Sequence, residues 1–163
     1  MRVTALVKTA LARRTLVKTA FARGTLTRTA LKKRGRRPSM EICEQMLREM
    51  VTLRERAPEV SGSVACTVDG LRIACDLAGD RADQTAALSA ALLALSRRMA
   101  DIAGKGAMEE TLVSASAGFA ALYPAGPTIV LTVVAEPGTN LGLLRLEGRK
   151  TAAALAAIAT RNP

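Results

Sequence analysis

Ser63-Val-Ala-Cys-Thr-Val68, Asp69-Gly70, Leu71-Arg-Ile-Ala-Cys-Asp76 is the stretch whose reading decides the fold. Two alternating runs flank Asp-Gly, a dipeptide that readily takes the positive φ angles of a two-residue type I′ hairpin turn. Such a loop sets Val68 opposite Leu71, Cys66 opposite Ile73 and Val64 opposite Cys75, with all six on one face of the ribbon. Ala65, Thr67, Arg72 and Ala74 then occupy the other. Cys66 and Cys75 become diagonal neighbours that a disulfide would join only by distortion, so reduced thiols are expected. Cys43 completes a set of three cysteines in no metal or redox spacing. Free thiols of this kind suit a reducing cytoplasm.

Upstream of the hairpin, Glu41 to Ala57 carries Ile42, Met46, Met50 and Leu53 at helical spacing, with Leu47 and Val51 widening the stripe. Pro58 closes that helix. Downstream, Asp80 suits an N-cap for a long helix from Arg81 to Ala103, and Gly104 its C-terminal stop. On this helix Leu88, Leu92, Leu95, Met99 and Ile102 lie within about 40° of one line, which is the expected core face. The opposite side carries Ala86, Ala90, Leu93, Ala94 and Ala100, interrupted by Arg97 and Asp101. A helix apolar on both sides needs two covers, and its own sheet supplies one. The second is assigned to another copy of the chain, with Ala86, Ala90, Leu93, Ala94 and Arg97 as the expected dimer interface. On this assignment Leu93→Asp or Ala90→Glu gives a folded monomer, and loss of Leu92 or Leu95 unfolds the domain.

After Gly106 the period returns to two. Strands are expected over Glu110 to Ser116, Phe119 to Tyr123 and Thr128 to Ala135, with turns at Gly118 and at Pro124-Ala-Gly-Pro127. The β-branched run Ile129 to Val134 reads as a central strand buried on both faces. Thr139 or Asn140 caps a last helix over Leu141 to Thr160, with Leu144, Ala152, Leu155 and Ala159 inward and Gly148 weakening it by about 1 kcal/mol. The order α-ββ-α-βββ-α describes an α+β domain, helices covering an antiparallel sheet.

The whole chain of 163 residues is 49% apolar and 2% aromatic, enough for one core of aliphatic side chains and alanine. No run of 18 apolar residues suggests a membrane span. The formal charge of +10 is unevenly placed. Residues 1–40 hold 12 of the 24 Lys and Arg and no acid, and the remainder is close to neutral. Within this basic segment a ten-residue repeat recurs as Lys8-Thr-Ala-Leu-Ala-Arg13, Lys18-Thr-Ala-Phe-Ala-Arg23 and Arg28-Thr-Ala-Leu-Lys-Lys33. Ten residues advance a helix by about 1000°, so successive apolar patches never align. The organisation expected is an arm over 1–39, without persistent structure when free, and a domain over 40–163. For the arm four readings stand: an anchor for phosphates or anionic lipid through residues 2–37, a transit-type peptide, a passive solvated tail, or an upstream start with Met40 as the native first residue. The abrupt return to an ordinary helical pattern at Met40 favours the last two.

Four segments together resemble the Roadblock family, named for a dynein light chain, in its bacterial branch. They are Leu53-Arg-Glu-Arg-Ala-Pro-Glu-Val-Ser-Gly-Ser-Val, Val68-Asp-Gly-Leu-Arg-Ile-Ala, the Ala- and Leu-rich helix after Arg81-Ala-Asp-Gln, and Asn140-Leu-Gly-Leu-Leu-Arg-Leu-Glu. The resemblance covers residues 45–160. It implies a five-stranded antiparallel sheet, homodimers or family heterodimers joined around the long helix and a neighbouring strand, and no catalytic residues. It also implies regulation of a Ras-like small GTPase, or membership of a signalling complex containing one.

The chemistry of the chain points the same way. With no histidine there is no Ser-His or Cys-His pair. Ala103-Gly-Lys-Gly106 lacks the spacing of a phosphate loop and follows a helix, so it reads as a helix stop. Glu109-Glu110 and Asp80/Asp83 are acid pairs without basic companions in the sequence, read as solvated groups or caps. No catalytic, cofactor or metal residue is assigned. The expected function is that of a cytoplasmic, dimeric regulatory protein; the alternatives are an adaptor acting through residues 2–37 and a purely structural scaffold.

Overall fold

The computed structural model describes residues 39–77 and 81–161. The basic arm and the expected cap Asp80 lie outside them. In chain order the elements are α1 (Met40–Arg56), β1 (Val60–Thr67), β2 (Arg72–Cys75), α2 (Ala82–Ile102), β3 (Thr111–Ala115), β4 (Gly118–Ala125), β5 (Ile129–Ala135) and α3 (Leu141–Arg161). This is the expected order α-ββ-α-βββ-α. The strands form one antiparallel sheet in the order β2-β1-β5-β4-β3, with the β-branched β5 at its centre.

Helices α1 and α3 pack on each other and on one face of the sheet. The four positions spaced along α1, Ile42, Met46, Met50 and Leu53, are its buried residues. Leu47, expected to widen that stripe, is exposed. Ser39 caps α1, its Oγ accepting from the Ile42 N–H at 3.4 Å. On α3 the inward face is Leu144, Ala152, Leu155 and Ile158, with Ala159 partly buried beside them. Asn140 Oδ1 accepts from the Leu143 N–H at 3.1 Å, capping that helix. Gly148 has a packing role the sequence does not disclose. A Cβ there would stand 2.5 Å from the ring of Tyr123, so the missing side chain lets α3 settle onto β4. The Tyr123 hydroxyl donates to the Leu144 carbonyl at 3.3 Å.

The hairpin departs from the expected turn. Among the described residues none but glycine takes positive φ, which excludes type I′ at Asp69-Gly70. The loop has three residues, Val68 to Gly70, with Gly70 at φ +83. It is closed by Gly70 N–H to Thr67 carbonyl and Thr67 N–H to Leu71 carbonyl, each at 2.9 Å. This shifts the register by one, so Cys66 pairs with Arg72 rather than Ile73. A bulge then restores the expected partners Ala65↔Ala74 and Val64↔Cys75. Its cost to the sequence reading is Ile73, which packs toward α1 and α3 while Val64, Cys66 and Cys75 face α2. Leu71 is exposed.

Strand β4 also runs further than expected, through Pro124 to Ala125. Strand β3 reaches only as far as Leu122, so Pro124 lies where β4 has lost its outer neighbour and a missing donor is tolerated.

Candidate functional site

Among the described residues helix α2 lies alone on the second face of the sheet, and its orientation reverses the sequence reading. Its buried residues are Ala82, Ala86, Ser89, Ala90 and Leu93. The expected core face points outward: Leu88 is 64%, Leu95 66%, Met99 70% and Ile102 78% exposed, and Leu92 is half-buried. The expected interface residues therefore separate. Ala86, Ala90 and Leu93 are sealed beneath their own sheet, where no partner can meet them. Ala94 is exposed and Arg97 half-buried.

The reason is the closeness of helix and sheet. A Cβ on Gly70 would stand 3.1 Å from the Ala87 Cα, so the hairpin tip nearly touches the helix backbone. Cys66 Sγ donates to the Ala86 carbonyl at 3.5 Å. Thr132 Oγ1 of β5 donates to Ser89 Oγ at 2.6 Å, and Ser89 Oγ to the Thr85 carbonyl at 2.7 Å. Small and hydroxyl side chains fit that gap; a row of Leu and Met does not. Ser89 and Thr132, each the odd polar residue on an apolar stretch, were the signal that sequence reasoning passed over.

What α2 leaves bare continues onto the sheet. Beyond its C-terminal half runs an open groove of about 530 Å³ lined by Leu92, Leu95, Met99 and Met108, with Glu110 and Arg149 at one side. Strand β3 borders it. Val113, Ser114 and Ala115 of this edge strand are exposed, and Leu112 tucks toward the α1/α3 core. The two edges of the sheet differ in kind. Strand β2 is four residues long, bulged, and led by Arg72, which pairs with Asp83 at 2.6 Å. Strand β3 is regular and carries no charge, proline or bulge, so nothing within the strand itself guards it against pairing.

Glu109 and Glu110 have the basic companions that the sequence did not reveal. Arg145 Nε meets Glu110 at 2.6 Å, and Arg149 Nη2 reaches Glu109 at 3.2 Å and Glu110 at 3.3 Å. Elsewhere Glu147 is buried between Lys150 at 2.6 Å and Arg56 at 3.4 Å. The hydrogen bond from Lys150 leads in holding it below the usual carboxylate range; burial opposes, and the charges of Lys150 and Arg56 add. Burial pushes the Cys66 thiol up to about 11 and is the first cause raising Tyr123 to about 12, so both stay protonated at neutral pH. Cys43, Cys66 and Cys75 are free. Gly104 ends α2 at φ +63, the helix stop expected of Ala103-Gly-Lys-Gly106. Among the described residues no group of three or more His, Cys, Asp or Glu is placed to hold a metal ion, and no helix is long and apolar enough to cross a membrane.

The arrangement is thus an apolar helix face beside a regular, uncharged strand edge, chemically able to bury itself against another protein surface. Two uncharacterized proteins of Methanocaldococcus jannaschii are each 32% identical over 94 residues, spanning 57% of this chain and 82% of theirs. The gliding protein MglB of Thermus thermophilus shares the fold with a TM-score of 0.69 at 19% identity, covering 76% of this chain and 95% of its own. A Roadblock/LC7 domain from Streptomyces avermitilis does so with a TM-score of 0.66 at 24% identity, covering 70% and 97%. The sequence profile of the Roadblock/LC7 domain matches residues 46–135, more than half of the chain, from the inward face of α1 to the end of β5. The chain belongs to the Roadblock/LC7 domain family.

Proposed function

We propose that this protein is a non-catalytic regulator that works as a homodimer and binds and modulates a Ras-like small GTPase, or a signalling complex containing one. The observation that carries the dimer is the outward face of α2, with four large apolar side chains in water beside the unguarded edge of β3. Burying a Leu, Ile or Met is worth about 1.5–3 kcal/mol each, a gross gain ample for association even after its entropic cost. A second copy suits this surface because an antiparallel edge strand pairs with itself about a two-fold axis. The helix ridge then covers the partner's groove. The interface proposed is therefore Leu88, Leu95, Met99, Ile102 and Val113, in place of the inward alanines. Membership of the Roadblock family supports the GTPase-directed role, and three free thiols support a cytoplasmic setting.

Light scattering on the purified chain is expected to give the mass of a dimer. A GTPase recovered by co-purification is expected to hydrolyse GTP at a changed rate when the protein is added; an unchanged rate leaves a scaffold without effect on turnover. A second reading draws on the 12 cations and no acids of residues 1–40: an adaptor for anionic membranes or nucleic acid. Deleting residues 1–39 separates the two. Dimerisation and partner capture persist under the regulator reading, whereas the adaptor loses all binding, and its binding falls steeply with salt.

A further inference from the structure

Among the described strands β3 is hydrogen-bonded to β4 alone, and its last three residues are exposed. Something must hold its first residue in place if the outer edge is to meet another strand in register. Glu110, the residue immediately before Thr111, is mostly buried, and its two carboxylate oxygens are taken by different arginines: Oε1 by Arg145 and Oε2 by Arg149. Glu109 shares Arg149. Arg145 and Arg149 stand one turn apart on α3. That helix is itself locked to β4, where Gly148 closes on the Tyr123 ring and the Tyr123 hydroxyl donates to the Leu144 carbonyl. The route of support therefore runs from β4 through α3 and around the sheet edge to the start of β3.

We infer that the cluster of Glu109, Glu110, Arg145 and Arg149 is a clamp that presents the β3 edge to a second copy of the chain, so that α3, on the far side of the sheet from α2, tunes self-association. This rests on the reading of α2 and β3 as the dimer surface. Arg145 is a positioning residue; Glu110 and Arg149 position β3 and also border the groove. The clamp is ionic while the surface it positions is apolar, which separates their responses to salt: screening weakens the clamp and leaves apolar burial intact or strengthened.

The test uses the full chain and the dimer dissociation constant at low and high salt. Glu110→Gln is expected to weaken the dimer about three- to tenfold at low salt and to flatten its salt dependence. Faster amide exchange is expected at Thr111–Ala115. The charge-exchanged pair, Glu110→Arg with Arg145→Glu, restores part of the affinity. Leu95→Asp supplies a folded monomer in which the effect of Glu110→Gln on stability alone is read, and little change is expected there. Wild-type affinity and salt response in Glu110→Gln overturn the clamp. So does a loss of stability in the Leu95→Asp background large enough to account for the weaker dimer. If Leu95→Asp itself remains dimeric, the choice of face falls, a failure distinct from that of the clamp.

Discussion

The inward and outward faces of α2 are both apolar, yet they obey different rules. Inward lie Ala82, Ala86, Ser89, Ala90 and Leu93, one large side chain among small ones; outward lie Leu88, Leu95, Met99 and Ile102. Ranking by hydrophobicity alone puts the second set in the core. What decides the matter is distance. Gly70 brings the hairpin to within van der Waals reach of the helix backbone, and the hydroxyl chain from Thr132 through Ser89 to Thr85 fixes the helix at that separation. Small residues mark close packing against the protein's own sheet, and large ones mark the face that the proposed dimer would cover.

The largest expected effect is a pair of substitutions to aspartate. Leu93 is 1% exposed, and a carboxylate there is buried without a partner, a loss of several kcal/mol that leaves the domain unfolded or insoluble. Leu95→Asp two residues on is expected to keep the circular dichroism of the native protein and halve the mass seen by light scattering. The sequence reading gives the opposite pair of outcomes. A folded monomer from Leu93→Asp breaks the comparison.

Volume changes sharpen it. Ala86→Leu forces three extra heavy atoms into the gap above Cys66 and is expected to cost up to about 3 kcal/mol in urea unfolding. Leu88→Ala removes as many atoms from the outward face. Read in the Leu95→Asp monomer, its effect on stability is expected to stay within about 0.5 kcal/mol, while in the otherwise native chain it weakens the dimer. Equal losses of monomer stability at the two positions would deny any difference between the faces.

Much of the architecture could be read from periodicity. The inward positions of α1, the central strand β5, the cap Asn140 and the stop Gly104 all rest on local spacing or local backbone preference, and each stands as expected. What periodicity cannot carry is the third dimension. The three-residue loop and the bulge at Ile73 depend on how the hairpin meets Thr128 and α2 as much as on Asp69-Gly70 itself. The companions of Glu110 lie 35 and 39 residues away, at Arg145 and Arg149, so no local pattern announces them. The presence of two apolar faces on α2 was legible; their assignment required knowing which one the sheet could approach closely.

A smaller effect probes the polar pin between helix and sheet. Ser89→Ala leaves the Thr132 hydroxyl buried without its acceptor, at a cost of about 1–2 kcal/mol. Adding Thr132→Val is expected to recover most of that loss, since both polar groups are then gone. Ser96→Ala, in the wall of the outward groove, is expected to change monomer stability little. If Ser89→Ala and Ser96→Ala are equally mild, the hydroxyl chain does not set the helix position.

The smallest expected effect is a pH dependence that begins on the inward face. The Cys66 thiol donates to the Ala86 carbonyl, and burial raises its pKa from 9.0 to about 11. A folded-state value above the unfolded one means that the native state favours the neutral thiol. The stabilisation is therefore complete below about pH 9 and is lost as pH rises through 11, falling on the order of 1 kcal/mol by pH 10. Tyr123, raised from 10.0 to about 12, extends the decline at still higher pH. The urea midpoint of the Leu95→Asp monomer is expected to be level from pH 7 to 8 and to drop above 9. Cys66→Ala lowers the plateau but flattens the first part of the drop, because the group whose ionisation the fold resists has been removed. An unaltered slope in Cys66→Ala would place the alkaline sensitivity elsewhere and loosen the link between this thiol and the seating of α2.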